Sequence, residues 1–221
     1  MTGDLSSRSA NATIVVPVAP MRQQEIDHRI ANSLQLISSL LSIQARETCD
    51  QLVCDSLRAA VCRIDAVAAV HQQLYQSSSA HTLDIEPYLL ELTAKIEQGC
   101  SGGVARKQIT ADIQSFEVPA DFASMLGILI NELVINACKH AYAPDEPGDI
   151  DICLFFLNQS EFRMEVRDYG IADVHKAPIT SGLGMRIIEA MSRKLNAVHV
   201  HIADEEGTRF LMRGTVFPSM V

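Results

Sequence analysis

The chain contains no tryptophan, and its seven Phe and four Tyr make up only 5% of 221 residues. Any interior it builds is therefore aliphatic. With 48% hydrophobic residues the material for a core is present, and the length suits one large domain or two small ones. Basic residues are also scarce. Eighteen Lys and Arg stand against twenty-seven Asp and Glu, a formal net charge of −9. A nucleic-acid-binding surface needs a basic face, so no nucleic-acid partner is expected. No run approaches the roughly 18 apolar residues of a membrane span, so no membrane insertion is expected. The opening stretch, MTGDLSSRSANATIVVPVAP, lacks a basic region leading into a long apolar one. It reads as a flexible tail over residues 1–20 rather than a secretory signal. Six cysteines (Cys49, Cys54, Cys62, Cys100, Cys138, Cys153) form no CxxC pair and no regular framework. They read as reduced thiols of a cytoplasmic protein. There is no metal-ligand spacing, no internal repeat and no low-complexity tract.

What is present starts with EIDHRIANSLQLISSLL, residues 25–41. Ile26, Ile30, Ile37, Leu40 and Leu41, with Leu34 beside them, recur at steps of three and four, the pattern of a core-facing helix. A second stripe, Glu25, His28, Asn32, Gln35, Ser39, Ser42, Arg46, has the same period on a water-facing side. His28 is thus displayed, with Glu25 one turn before it and Asn32 one turn after. A second helical pattern, from about 50 to 76, steps through Leu57, Val61, Ile64, Ala68, His71 and Tyr75. The short connection predicts an antiparallel hairpin. One hairpin cannot bury both apolar faces, so a homodimeric four-helix bundle is expected.

QSSSAH, 76–81, is a break, and the texture then changes. Residues from Leu83 read as a helix, a glycine turn at 101–103, the strand-like QITADI, and a long helix over 121–141. DIDICLFFL, EFRMEVRDY, AVHVHIA and TRFLMRGTVF read as strands, with GLGMRIIEAMSRKL between the second and third. The mixture predicts an α+β fold, one sheet with helices packed on it. The expected division is a tail (1–20), a helical hairpin that dimerises (21–82) and a mixed sheet-and-helix domain (83–221).

Several short patterns carry possible chemistry. Glu132, Asn136, Lys139 and His140 lie at helical spacing on one face. An acid, an amide and two cationic groups suit a magnesium ion sharing oxygens with a phosphate chain; the plain alternative is a solvated face. Asp168 ends a strand and Gly170 permits a tight turn or close approach; the alternative is an ordinary β-turn. SGLGMRII, 181–188, puts Gly182 and Gly184 at a helix mouth, where backbone N–H groups attract anions. EEGTRF, 205–210, leads through a turn to Thr208.

In this order, behind the displayed histidine, the patterns together resemble the histidine kinases of two-component signalling, with a GHKL-type (Bergerat) ATP-binding α/β sandwich. The subfamily they resemble has a histidine box reading His-Arg followed by Asn three residues later, here DHRIAN within EIDHRIANSLQLISSLLSIQAR. RIDAVAAVHQQLYQS and LDIEPYLLEL are similar to the same subfamily. NELVINACKHAY resembles the N box, VRDYGIAD the G1 box and SGLGMRII the G2 box, so that the likeness runs over about residues 21–217.

The resemblance implies ATP and Mg2+ as cofactors and a response-regulator receiver domain as partner. It implies His28 as the phosphorylated residue, Glu132 near the γ-phosphate and Asn136 on magnesium. Lys139 and His140 approach the phosphates, Asp168 binds adenine with Thr208 assisting, and Gly182 and Gly184 line the phosphate path. A carboxylate beside the histidine would fix its tautomer and accept a proton. Because Arg29 follows His28, Glu25 is the expected carboxylate and Asp27, which points elsewhere, the weaker one. Arg29 is a candidate to neutralise incoming phosphate. Asn32 is a candidate to orient water for dephosphorylating a partner aspartate. About 20 residues precede the histidine helix, so a stand-alone kinase fed by an upstream sensor protein is expected. The G1 box has Ala172 where a second glycine is usual, and the segment from Ile171 to Thr180 is short for a nucleotide lid. The alternative functions are a histidine phosphotransferase or response-regulator phosphatase with a degenerate ATP-binding domain, and a non-catalytic ATP-binding module that sequesters a partner.

Overall fold

The computed structural model describes residues 20–76, 81–100, 107–142, 146–170 and 183–216. Two long helices, α1 (Pro20–Glu47) and α2 (Gln51–Gln76), form an antiparallel hairpin. The turn between them is set by Asp50, whose carboxylate accepts the backbone N–H of Leu52 at 2.9 Å and of Val53 at 3.3 Å. This is an N-cap that starts α2. After a break come β1 (Thr82–Asp84), α3 (Ile85–Cys100), β2 (Lys107–Ile113), β3 (Glu117–Pro119) and α4 (Ala120–His140). Then follow β4 (Gly148–Phe156), β5 (Glu161–Asp168), α5 (Leu183–Lys194), β6 (Val198–Asp204) and β7 (Gly207–Thr215).

The main sheet has the order β2-β4-β5-β7-β6, parallel at β2–β4 and antiparallel elsewhere. Strands β2, β4, β5 and β7 alternate as a half-buried sheet should, whereas the edge strand β6 is exposed along nearly its whole length. Ile150, Ile152, Leu154, Phe162, Met164, Val166, Phe210 and Met212 are buried among Leu126, Leu129, Ile130 and Val134 of α4. The alternate positions, such as Phe155, face outward. β1 and β3, three residues each, pair as a small separate ribbon that the sequence did not announce. Asp84 ties this ribbon to α3, accepting from the Glu86 N–H at 3.0 Å and the Ser115 hydroxyl at 2.6 Å. The last turn of α5 ends in Asn196 with φ 46° and an Ala197 N–H to Ser192 carbonyl bond of 2.9 Å. Asn serves there in the left-handed position that glycine often takes.

Two expectations are corrected. The apolar stripe of α1 does not face α2. Asp27, Ala31, Ser38 and Ala45 are buried, whereas Ile26, Ile30, Ile37 and Leu40 are 36–54% exposed in the single chain. Small side chains let two helices approach closely, so the small face meets α2 and the large aliphatic face is left outward. Second, α4 is by length and composition apolar enough to cross a membrane. The reason is that α4 is packed on several sides. Its apolar residues, among them Leu126, Leu129, Ile130 and Val134, are buried core residues.

Candidate functional site

On the hairpin, His28 is exposed, and its ring lies against Tyr75 of α2 with centroids 4.8 Å apart. Asn32 sits one turn on, its Nδ2 3.5 Å from His28 Nε2. Glu25 does not orient this imidazole. Its carboxylate accepts from the Arg29 guanidinium at 2.6 Å. Helical geometry puts both His28 and Arg29 within reach of Glu25, and opposite charge decides for arginine. Arg29 is correspondingly engaged. The carboxylate–imidazole pair at this level is another one. Asp27 lies 2.9 Å from His71 Nδ1 and joins α1 to α2 while only 3% exposed.

The second cluster gathers around α4. Glu132 and Asn136, one turn apart, face the start of α5. A methyl group placed on Gly184 would sit 3.1 Å from Glu132 Oε2 and 3.6 Å from Asn136 Oδ1. The first turn of α5, with its unpaired N–H groups, therefore looks at an acid and an amide. Glu132 is buried, and Arg63 of α2 holds it from both sides, Nε to Oε1 at 2.6 Å and a terminal nitrogen to Oε2 at 2.8 Å. Lys139 and His140 lie on the exposed last turn of α4. Gly182, Ala172 and the segment from Ile171 to Thr180 lie outside the described residues.

Asp168 closes β5 directly opposite Thr208 of β7. Its Oδ1 accepts the Thr208 N–H at 3.2 Å and the Gly170 N–H at 3.3 Å. Burial pushes its carboxyl above the ordinary value, against the lowering effect of those two backbone bonds and of the Thr208 hydroxyl. Gly170 has no room for a side chain, because a Cβ would lie 1.9 Å from the Ala141 carbonyl oxygen. Gly207 turns β6 into β7 at φ 118°, a conformation open to glycine. Asp168 thus sits by Ala141, the C-cap of α4, while Glu132 lies nine residues before Ala141, about 13 Å along the axis. A buried acceptor at one end, and an acid, an amide and a helix N-terminus at the other, suit a nucleotide with its base at Asp168 and its phosphates at Gly184. Among the described residues no three His, Cys, Asp or Glu side chains gather as a metal site. A magnesium ion held by Asn136 and substrate phosphates needs no such cluster.

Arg63, Tyr75 and the Asp27–His71 pair were not singled out for these contacts by the sequence. The one sign of Arg63 is that it interrupts the otherwise apolar run AAVCRI.

Comparison with known proteins shows the family. Residues 25–100 match a family model described as histidine kinase, and residues 102–213 one described as histidine kinase-like ATPase domain. Blue-light-activated histidine kinase 2 of Erythrobacter litoralis is 25% identical over 179 residues, 78% of this chain and 51% of that protein. Sensor histidine kinase PdtaS of Mycolicibacterium smegmatis is 32% identical over 143 residues, 58% of this chain and 26% of that protein. The chain therefore spans about half or less of the length of these relatives. The histidine kinase domain from the Erythrobacter litoralis EL346 blue-light activated histidine kinase has the same fold. Its TM-score is 0.64 at 21% identity, over 89% of this chain and 92% of that one. With two consecutive family matches running from residue 25 to residue 213, the chain belongs to the histidine kinase family.

Proposed function

We propose that the protein is an ATP-dependent protein-histidine kinase that autophosphorylates on His28 and passes the phosphoryl group to an aspartate of a response-regulator receiver domain. What carries the reading is the convergence of Glu132 and Asn136 on the first turn of α5 at Gly184, in a chain that also displays His28 on its hairpin. In the first step a neutral imidazole nitrogen attacks the γ-phosphorus. The N–P bond forms, the bond from phosphorus to the β,γ-bridging oxygen breaks, and ADP leaves. The imidazole then gives up its other N–H proton to solvent or a carboxylate. In the second step a receiver carboxylate takes the phosphoryl group and the N–P bond breaks.

Each residue has a part in this scheme. Asp168 and Thr208 recognise the adenine end, and Glu132 stands at the γ-phosphate. Asn136 would hold magnesium, which supplies charge neutralisation to the phosphates when bound. Gly170 and Gly184 give the backbone close approach, and Lys139 and His140 stand on the last turn of α4, toward the Asp168 end of the site. Asn32 steadies the His28 ring. Residues 21–82 serve dimerisation and phosphotransfer, and 83–221 bind ATP. The exposed aliphatic stripe of α1 supports a homodimer through the hairpin. The thiols of Cys49, Cys54 and Cys153 support a cytoplasmic setting, with input from an upstream sensor protein.

The test is phosphotransfer. The protein is charged with labelled ATP and magnesium, freed of nucleotide and mixed with isolated receiver domains. Rapid movement of label to one receiver is expected. Label that never leaves the protein for any receiver of the source organism would overturn the second half of the proposal.

A further inference from the structure

A side chain of the hairpin reaches the nucleotide site. Arg63 projects from α2, and its guanidinium takes both oxygens of Glu132 at 2.6 and 2.8 Å. The pair is largely dry, with side-chain exposures of 20% for Arg63 and 3% for Glu132. Glu132 Oε2 also borders Gly184 at the mouth of α5. The carboxylate at the phosphate end of the site is therefore clamped between a hairpin cation and the backbone of α5.

The level of this clamp on the hairpin matters. His28 lies against Tyr75, and its neighbour Asp27 bonds His71. Arg63 precedes His71 by eight residues and Tyr75 by twelve, about 12 and 18 Å along α2. While Arg63 holds Glu132, the phosphate end of the site is therefore kept more than a helical turn below the His28 of the same chain. In-line transfer needs the attacking nitrogen roughly 3–3.5 Å from the phosphorus.

We propose that Arg63 is a positioning residue for Glu132. It holds the ATP-binding region docked at the lower level of the hairpin, with the Glu132 carboxylate engaged, and it must release that carboxylate before His28 is phosphorylated. A polyphosphate is the natural competitor, since a guanidinium pairs with phosphate as readily as with carboxylate. Nucleotide arrival and release of Glu132 are then one coupled event. This inference rests on the reading of Glu132 as the residue at the γ-phosphate and of His28 as the acceptor.

The experiment compares the full chain with its Arg63→Met, Arg63→Gln and Arg63→Lys variants. Two quantities are read: the initial rate of His28 labelling at varied ATP, and the radius of gyration by small-angle X-ray scattering at matched oligomeric state without nucleotide. Arg63→Met, which keeps the aliphatic stem and loses the clamp, is expected to expand. At low ATP it should label faster by about five- to 150-fold, the usual range of coupling between sites, mainly through a lower KM, because nucleotide no longer has to displace the clamp. Arg63→Lys, with charge but no two-pronged contact, should fall between it and the wild type. If Arg63→Met does not fold, Arg63→Gln, which still donates to Glu132 without charge, carries the comparison. Unchanged scattering with an unchanged or slower rate would overturn the proposal. If no form takes label, the kinase reading fails and scattering alone decides. Expansion of the variants then upholds the clamp, and no expansion refutes it.

Discussion

The imidazole of His28 lies against the ring of Tyr75, centroids 4.8 Å apart and planes tilted by 32°. The two residues sit on different helices, so the contact fixes where an exposed ring points. Aromatic pairs of this kind contribute about 0.5–1.5 kcal/mol. Tyr75→Ala should therefore slow labelling of His28 roughly two- to twelvefold, since about 1.4 kcal/mol is a factor of ten. Tyr75→Phe, which keeps the ring, should stay near the wild-type rate. Equal slowing by both variants would assign the effect to the hydroxyl instead. The readout is the initial rate of acid-labile labelling.

Asp27 and His71 hold α1 to α2 one residue below that contact. A hydrogen bond to a carboxylate contributes about 1.5–3 kcal/mol, and Asp27 is 3% exposed. Asp27→Ala should lower the unfolding free energy by about that much in urea titrations. Asp27→Asn, which keeps an acceptor oxygen, should cost less.

Ile37 is 46% exposed in the single chain. Ile37→Lys should therefore change the folding stability of a lone chain by no more than about 0.5 kcal/mol, as at other surface sites. In a dimer formed through the α1 stripe it would bury an unpaired charge. Light scattering should then report monomer for the variant and dimer for the wild type. An unchanged dimer would place the interface elsewhere.

Asp168 couples stability to binding. Burial raises its carboxyl above the ordinary value near 3.8, chiefly by desolvation. The folded state thus holds the proton more tightly than the unfolded chain. That contribution is complete below the unfolded-state value and is lost as pH rises through the folded one. At neutral pH the charged group costs stability, so Asp168→Asn should be at least as stable as wild type at pH 7, with the advantage shrinking towards pH ~4. The amide oxygen can still accept from Gly170 and Thr208, but its NH2 then meets the adenine amino group, donor against donor. Affinity for a non-hydrolysable ATP analogue should fall roughly five- to 150-fold, corresponding to about 1–3 kcal/mol for an unmet hydrogen bond. Calorimetry and urea midpoints across pH check both.

The long elements were legible because they are periodic. The i, i+4 spacing of Glu132 and Asn136 puts them on one face whatever they touch, and the strand ends carrying Asp168 and Thr208 follow from alternation. What the stripes of α1 would meet was not legible. Period identifies a face, whereas the sizes of Ala31, Ser38 and Ala45 decided which face α2 could approach. Glu25 was misassigned because helical spacing offers it both His28 and Arg29. The Arg63–Glu132 pair spans 69 positions, and no local pattern records a contact at that range. β1 and β3 are too short to show an alternation.

The central claim is that His28 takes the γ-phosphoryl group of ATP, and labelling of wild type beside His28→Ala tests it most directly. Both proteins are incubated with γ-labelled ATP and magnesium, and the bound label is measured before and after acid. The account predicts acid-labile label on the wild type alone, mapped to His28, with both proteins binding a non-hydrolysable analogue equally. Label that persists on His28→Ala, or a wild type that binds nucleotide and takes none, would contradict it.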